Sequence, residues 1–230
     1  MHEDLKMKLV KAHKILYMEG LAEDTTRGHI TVRSYDNRIY IKPWGMGFEE
    51  VTAQDILGLD LDGNLLEGEG RVHSELPLHL EIYRERKDAF SIAHVHPHYS
   101  IILSSVFNGK MNIISQNGIH FVNGISFYKS AELINSKKCG MELAQALGDR
   151  SLVLMRNHGI VTVGRTIEEA VVVAIDFEKA ANEHLEASWF ETPTDVPTEI
   201  AEKMNAKIYS PEQYQMLWAY YCRKLNRKMS

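Results

Sequence analysis

Two histidines placed two residues apart in a β-rich stretch are the first candidates for chemistry. His94 and His96 lie in the segment SIAHVH (91–96), whose composition favours a strand. Because side chains alternate across a strand, both imidazoles project from one face while Val95 points to the other. Two imidazoles on one face can share a divalent ion at about 2.0–2.1 Å. The pair is also typical of two half-exposed histidines on a polar sheet face, without a metal. Further ligands must therefore converge on the pair before a metal site is indicated.

A third ligand has to come from another part of the chain, and several histidines compete for that place. His158 lies in the segment RNHG, which is predicted to be the turn between strands 151–155 and 160–163. A histidine in such a turn can project over a sheet edge, or it can hydrogen-bond the backbone of the turn. The rival candidates are four other histidines: His29, His73, His79 and His98.

An acidic residue, Glu75, opens a predicted helix over 75–86 in the sequence HSEL. One interpretation is structural, because Ser74 is placed to cap the helix and the helix dipole stabilises a carboxylate in the first turn. The other interpretation is that Glu75 faces the metal and transfers a proton, or fills a ligand position until substrate arrives. The spacing is compatible with both.

The elements that must position these residues alternate between helices and strands. Helices are predicted over 5–16, 75–86, 137–147, from Thr166 to about Trp189 and from Ser210 onward; strands are predicted over 29–33, 38–43, a hairpin within 57–68, 91–96, 151–155 and 160–163. Residues 101–129 are predicted to be strand-rich, and Thr166 with Glu169 predicts a capping box. This interspersed pattern predicts one α/β layered domain with a largely antiparallel sheet covered by helices.

Composition narrows the class of partner. The 230-residue chain is 44% hydrophobic and 25% charged, with a formal net charge of −5. A mildly acidic chain without a block of Lys or Arg argues against nucleic acid or an anionic membrane as partner. Its apolar runs fall short of the ~18 residues that a membrane helix needs. Two cysteines without metal-type spacing indicate a reducing compartment, so we expect a cytoplasmic protein.

Six segments give the chain a family resemblance. In order they read RGHITVR, IKPWGMGFEEVT, LDLDGNLLEGEG, HSELPLHLEIYRERKD, AHVHPHYS and VLMRNHGIVTVGRTIEEAV. Together they resemble the class II aldolase/adducin family, which contains L-fuculose phosphate aldolase and L-ribulose phosphate 4-epimerase. The resemblance runs from about residue 5 to about residue 188. Its most specific feature is the order Ser-Glu, then His-x-His, then Asn-His-Gly.

The resemblance implies an α/β/α layered fold around a mixed, mainly antiparallel sheet, with residues 1–230 as one domain and 190–230 as its C-terminal helical extension. It implies a cyclic homotetramer with active sites near subunit interfaces. His94, His96 and His158 match the family's metal ligands, and Glu75 matches its acid/base. The ion implied is divalent: zinc is usual, and manganese or iron occur in related members.

The implied chemistry is the breaking of a carbon–carbon bond in a small anionic substrate, with the metal stabilising an enolate or enediolate. The family uses this intermediate for aldol cleavage, epimerisation and decarboxylation, so membership leaves the reaction open. An epimerase or dehydratase on the same fold is one alternative. An adducin-like interaction module without catalysis is another, although the four matching site residues argue against it.

This chain departs from the sugar-phosphate members where they bind phosphate. The residues that match the phosphate-binding positions, and that we predict to bind substrate, are Gly28, His29, Trp44, Gly45, His73 and Ser74. Three of them, His29, Trp44 and His73, replace small polar residues, and bulky rings obstruct the backbone approach that a phosphate requires. The substrate is therefore either a hydroxy-aromatic or keto acid that is decarboxylated, or a sugar phosphate whose anion is bound differently.

Overall fold

An eight-stranded sheet forms the centre of the computed structural model, which describes residues 2–229. The strands are β1 (His29–Arg33), β2 (Ile39–Ile41), β3 (Leu57–Leu59), β4 (Leu65–Glu67), β5 (Ser91–Val95), β6 (Ser126–Tyr128), β7 (Leu152–Met155) and β8 (Gly159–Gly164). They are ordered β4-β3-β2-β1-β5-β8-β7-β6. Only the β6–β7 pair is parallel among the described strands. This confirms the mixed, mainly antiparallel sheet.

Helices cover both faces of the sheet. They are α1 (His2–Met18), α2 (Leu76–Glu85), α3 (His98–Val106), α4 (Lys137–Leu147), α5 (Ile167–Ser188), α6 (Thr198–Ile208) and α7 (Pro211–Met229). One hydrophobic core joins the sheet to α1, α3, α5, α6 and α7, and a second core joins the opposite face to α2 and α4. The α/β/α layering predicted from the sequence is therefore confirmed. The division into one domain with a C-terminal extension stays a prediction, and its ends, Met1 and Ser230, lie outside the described residues.

Strand alternation decides which residues face α2. In β1, Ile30 and Val32 belong to the first core, whereas Thr31 hydrogen-bonds the side chain of Tyr83 on α2. In β5, Val95 belongs to the first core and Ile92 to the second. The even and odd positions of the central strands thus face different layers, and the layer that contains α2 receives Thr31 and Ile92.

The strand-rich prediction for residues 101–129 was wrong. This stretch contains the end of α3 and a 3₁₀ helix (Ile119–Phe121), and its one strand among the described residues is the short β6. The helical start of α3 is held from outside: the carboxylate of Glu178 on α5 accepts hydrogen bonds from the backbone N–H groups of Tyr99 and Ser100 at 2.8 Å. A cap supplied 78 residues away overrides the β-branched composition, because it satisfies the free N–H groups of the first turn.

Two predicted caps have different outcomes. Thr166 accepts a hydrogen bond from the backbone N–H of Glu169, as predicted, while the Glu169 carboxylate accepts one from the N–H of Arg165. The cap predicted for Ser74 was wrong, since α2 begins at Leu76 without a side-chain cap. The helix α6 was not predicted. No helix within residues 2–229 has both the length and the apolar character needed to cross a membrane.

Candidate metal centre

The pairing of β5 with β8 brings the three candidate ligand histidines together. His94 pairs with Val161 and Val95 with Ile160, so the end of β5 lies beside the turn that precedes β8. That turn carries His158. The ring centroids of His96 and His158 are 5.1 Å apart, and those of His94 and His158 are 5.0 Å apart. Three side chains from two distant segments therefore meet at one end of adjacent strands.

The turn itself is shaped to present His158. Asn157 has a φ of 51°, in the left-handed region, and its backbone N–H donates to Ser104 Oγ at 2.9 Å. The following Gly159 lies so close to β5 that an added Cβ would stand 2.4 Å from the carbonyl oxygen of Val95. The absent side chain lets β5 and the turn approach, and this approach sets the distance between His96 and His158.

The acidic candidate Glu75 completes the cluster. Its Oε2 lies 3.6 Å from His94 Nε2, and its Oε1 lies 3.8 Å from His158 Nε2. One ligand atom from each of Glu75, His94, His96 and His158 lies within 4.8 Å of all the others. The fixed orientation of Glu75 comes from the backbone N–H of Ile134, which donates to Oε1 at 3.0 Å.

Hydrogen-bond partners on the outer nitrogens fix two of the rings. His94 Nδ1 lies 3.0 Å from the carbonyl oxygen of Ile160, and His96 Nδ1 lies 2.6 Å from Asp24 Oδ2. Carbonyl and carboxylate oxygens only accept, so both Nδ1 atoms carry a proton. When both rings are neutral, each presents an Nε2 lone pair to the other, and these two Nε2 atoms are 3.0 Å apart.

That arrangement fits a shared cation. Two nitrogen lone pairs 3.0 Å apart repel each other unless a positive charge lies at the point where they converge. Ligands bound at about 2.0–2.1 Å to a tetrahedral ion are separated by about 3.3 Å, close to the observed spacing. The Nδ1 atom of His158 is buried and has no hydrogen-bond partner among residues 2–229. The donor set of three imidazoles and one carboxylate thus suits a divalent ion.

Burial keeps the histidines in the form that binds metal. It lowers the pKa of His158 to about 3 and that of His73 to about 4, and it lowers the pKa of His96 although the Asp24 carboxylate opposes this. Neutral imidazole is the ligand form of histidine. For Glu75, burial alone would raise the pKa, but contacts with His94, the Ile134 N–H and His158 together lower it, so the side chain is a carboxylate.

A cavity of about 430 Å³ opens beside this cluster. Its polar lining consists of Asp24, Arg27, His73, Ser74, Glu75, His96, Asn157 and His158, and its apolar lining consists of Ile101 and Leu133. Arg27 gives one wall a positive charge, while Leu133 is 56% exposed at the surface. The cavity can therefore accept a small anionic molecule in contact with both Glu75 and the histidines.

The predicted substrate-binding residues divide into three groups. His73 and Ser74 line the cavity. Gly28 and His29 lie behind it, where an added Cβ on Gly28 would stand 3.0 Å from the His94 carbonyl oxygen and His29 is completely buried. Trp44 and Gly45 do not belong to the cavity lining; the Trp44 ring is half exposed and packs under the Arg71 guanidinium at 4.7 Å. Substrate contact by all six stays a prediction.

Sequence reasoning missed Asp24 and left the third ligand open. Asp24 precedes His96 by 72 residues and lies in a loop without a motif, so no local signal connects the two. Of the four rivals for the third place, His79 is buried and His98 is exposed at the start of α3, and neither belongs to a metal-ligand group among the described residues. The other two, His29 and His73, form a second group with Glu75. Tertiary contacts made both distinctions.

Comparisons with known proteins show what this chain is similar to. A family model described as "Class II Aldolase and Adducin N-terminal domain" matches residues 7–185. The chain is 30% identical over 199 residues to a 3,4-dihydroxyphthalate decarboxylase of Arthrobacter keyseri. That match covers 81% of this chain and 80% of the relative. It is 32% identical over 154 residues to an L-fuculose phosphate aldolase of Methanocaldococcus jannaschii. That match covers 67% of this chain and 81% of the relative. An L-fuculose 1-phosphate aldolase structure from Glaciozyma antarctica shares the fold with a TM-score of 0.88 at 24% identity, covering 98% of this chain and 90% of that one.

Proposed function

Because this chain belongs to the class II aldolase and adducin family, we propose that it is a divalent-metal-dependent lyase that breaks a carbon–carbon bond. His94, His96 and His158 bind the ion, and Glu75 is the acid/base. The observation that carries the proposal is the 3.0 Å approach of the two Nε2 lone pairs of His94 and His96 beside the Glu75 carboxylate. A core packing role for these residues would not require the two lone pairs to face each other.

Each protein group has a defined task in this reaction. When bound, the ion polarises the substrate's oxygen atoms and stabilises the negative charge that develops on them as the bond breaks. Glu75 is ionised and faces the cavity, so it takes up a proton from the reacting group and returns it to the product carbon or oxygen. Arg27, on the cavity wall, attracts the anionic end of the substrate. Ile101 and Leu133 supply apolar contacts for the carbon skeleton of the substrate.

We propose zinc as the ion. Imidazole nitrogen is a borderline ligand that suits zinc well, and a site with three histidines leaves a position open for substrate. Manganese or iron remain alternatives, and the carboxylate of Glu75 would favour them more than a fourth histidine would.

Two reactions fit this site, and the relatives include both. Decarboxylation of a hydroxy-aromatic or keto acid is supported by the Arthrobacter relative's name and by the cavity, whose lining combines Arg27 with the apolar side chains of Ile101 and Leu133. Aldol cleavage of a small hydroxy-carbonyl compound or sugar phosphate is supported by the L-fuculose phosphate aldolase relatives. Assays that follow carbon dioxide release and aldehyde formation in parallel, on zinc-loaded protein with dihydroxyaryl carboxylates and with sugar phosphates, separate the two.

We further propose a cytoplasmic homotetramer with sites near subunit interfaces. The support is the exposure of two apolar side chains: Leu133 at the cavity is 56% exposed and Val106 at the end of α3 is 65% exposed. Both cysteines, Cys139 and Cys222, are free thiols, as is usual in a reducing compartment. Light scattering at micromolar concentration should give a mass of four chains; a monomer mass would contradict the assembly without touching the metal proposal.

The metal site is tested by comparing two neighbouring histidines. Replacing His94→Ala should remove nearly all bound zinc, since it deletes one of three nitrogen ligands. Replacing His98→Ala, an exposed histidine in the same segment, should leave one equivalent per chain. Metal content measured by mass spectrometry after dialysis gives the answer. Equal zinc in the two variants would refute the ligand assignment.

A further inference from the structure

A chain of buried hydrogen bonds lies behind the metal cluster and ends at His29. His29 Nδ1 is 2.6 Å from His79 Nε2, and His79 Nδ1 is 2.8 Å from Thr31 Oγ1. Thr31 Oγ1 is 2.9 Å from the hydroxyl of Tyr83, which donates to the carbonyl oxygen of Phe90 at 3.4 Å. His29, Thr31, His79 and Tyr83 are completely buried. At the other end, His29 Nε2 is buried without a hydrogen-bond partner among the described residues.

The acceptor at one end of this series of hydrogen bonds sets the direction in which every group in it donates its proton. The carbonyl of Phe90 can only accept, so the hydroxyl proton of Tyr83 points to it and Thr31 donates to Tyr83. His79 Nδ1–H then donates to Thr31, and His79 Nε2 accepts from His29 Nδ1–H. The reverse direction loses the bond to Phe90 and leaves a buried N–H without an acceptor, which is rarer than an unpaired lone pair. His29 therefore presents a lone pair on Nε2.

His29 is buried and is not part of the cavity lining, but its free nitrogen lies beside two residues that are. Ligand atoms of His29, His73 and Glu75 lie within 4.8 Å of one another. His73 and Glu75 line the cavity, and the His29 ring centroid is 4.0 Å from that of His73 and 5.1 Å from that of His94. A group bound between these residues would lie next to both the cavity and the metal-ligand cluster.

We propose that His29 Nε2 accepts a hydrogen bond from a hydroxyl group of the substrate, and that this contact selects a hydroxylated substrate over one that carries an anion or a methyl ether at the same point. This rests on the proposed function, because the hydroxyl is positioned by the part of the substrate that the metal binds. The hydroxyl is aliphatic in a polyol and phenolic in an aryl acid; both present the same O–H donor.

The neighbouring charges argue against the two other occupants of this pocket. A phosphate or carboxylate oxygen would meet the lone pair of His29 and the carboxylate of Glu75, and this repulsion opposes the attraction of the Lys42 ammonium group. A second cation would be repelled by Lys42, whose buried ammonium group acts on both His29 and His73, and by the ion on His94. A neutral group that donates a proton meets neither penalty.

Hydroxamates that differ by one hydroxyl test the proposal. Glycolohydroxamate and acetohydroxamate form an aliphatic pair, and salicylhydroxamate and benzohydroxamate form an aromatic pair; all four chelate a metal. On zinc-loaded protein, calorimetry should show that the hydroxylated member of at least one pair binds roughly tenfold more tightly. The pair with the larger difference identifies the aliphatic or the phenolic source. Phosphoglycolohydroxamate should bind more weakly than glycolohydroxamate.

A variant remote from the ligand provides the sharper test. Thr31→Val removes the acceptor of His79 Nδ1–H without leaving a cavity, so His79 should take the other tautomer and His29 Nε2 should become a donor. The hydroxyl preference should then disappear, and phosphoglycolohydroxamate should gain affinity. The matched control is Thr162→Val, a buried threonine whose side-chain hydroxyl donates to the carbonyl oxygen of Ala170 at 2.8 Å. It should keep the wild-type preference.

The tautomer can also be read without any ligand. In ¹⁵N-histidine-labelled protein free of metal, the Nε2 of His29 should give the shift of an unprotonated nitrogen, and the Thr31→Val variant should give a protonated one. A protonated Nε2 in the wild type would overturn the inference by itself.

The outcomes separate the inference from the proposed function. If acetohydroxamate and benzohydroxamate bind but the added hydroxyl changes nothing, an internal water fills the pocket and only the inference fails. If metal analysis finds two equivalents per chain, one of which is lost in His29→Gln, the pocket is a second cation site and the inference fails. If none of the four hydroxamates binds zinc-loaded protein, the proposed function fails and the inference fails with it.

Discussion

The partner of one ring nitrogen decides what the other nitrogen of a histidine can do, and this rule governs the site at the scale of single residues. His96 donates through Nδ1 to Asp24, and His94 donates through Nδ1 to the carbonyl of Ile160. Both are therefore left with the lone pair that a metal requires. His29 is controlled in the same way by His79, and its Nε2 has no hydrogen-bond partner among the described residues.

Asp24→Asn should weaken zinc binding by roughly 10- to 100-fold, because the amide replaces a charged acceptor that orients His96 and raises its basicity. Competition with a chromophoric chelator measures the change. The control is Asp36→Asn, an exposed aspartate on the β1–β2 turn whose side chain is bonded to Ser34. If Asp24→Asn binds zinc as the control does, the orienting role of Asp24 is wrong.

Glu75→Gln should keep zinc but lower turnover by roughly 100-fold or more, because an amide cannot transfer the proton. The glutamine oxygen can still accept from Ile134 N–H, so the local fold should persist. The measurement is kcat with whichever substrate the parallel assays identify, alongside zinc content. Glu132→Gln, an exposed glutamate in the same loop as Ile134, is the control. Full activity in Glu75→Gln would exclude it as acid/base.

At the scale of elements, the approach of the β7–β8 turn to β5 is what converts three separate histidines into a cluster. The sequence predicts both strands and the turn, and it predicts that His94 and His96 share a face. The pairing of β5 with β8, which lie about 65 residues apart in the chain, was not readable from spacing. The same holds for α3, whose N-terminus is satisfied by Glu178 on α5.

Gly159→Ala tests the importance of this approach. Its Cβ would stand 2.4 Å from the Val95 carbonyl oxygen and 2.8 Å from His96 Cδ2, so β5 and the turn must separate. We expect a loss of about 1–3 kcal/mol in the free energy of unfolding, typical of overpacking, together with weaker zinc binding. Gly118→Ala, where the added Cβ meets Ile113 at an ordinary 3.4 Å, is the control. Unchanged zinc affinity in Gly159→Ala would show that the turn does not set the ligand spacing.

At the scale of the whole molecule, the C-terminal helices are attached to the rest through a buried polar contact. Tyr209, between α6 and α7, donates to Asp176 Oδ2 on α5 at 3.0 Å and packs its ring against His120 at 4.4 Å between centroids. Burial raises the pKa of Asp176 to about 6, and it lowers the pKa of His120 to about 4. Both groups therefore favour their neutral forms in the folded protein.

Asp176→Asn should change how stability depends on pH. The raised pKa means that Asp176 holds its proton more tightly in the folded state than in the unfolded state, so the contribution of Asp176 to the free energy of unfolding falls as pH rises from about 4 to about 6 and is then constant. A difference of about two pKa units corresponds to about 3 kcal/mol. The asparagine variant should lack this fall, while the opposite contribution of His120 is common to both proteins.

Urea unfolding of the metal-free wild type and Asp176→Asn, at intervals from pH 4 to pH 7.5, measures this difference. The stability of the variant relative to the wild type should rise across the window and level off above pH 6. A difference that stays constant with pH would mean that Asp176 titrates alike in the folded and unfolded states.

The sequence by itself determined the layered fold, the existence of most elements and the four residues at the centre of the candidate site. It could do so because helix and strand periodicity are local, and because an ordered set of short motifs carries the family resemblance. The tertiary structure alone decided that residues 98–106 form a helix, that Trp44 lies outside the cavity lining, that Asp24 orients His96, and that a buried hydrogen-bond chain ends at His29. Each of these depends on contacts between residues far apart in the chain, and such contacts form only when the strands pair and the helices pack against them.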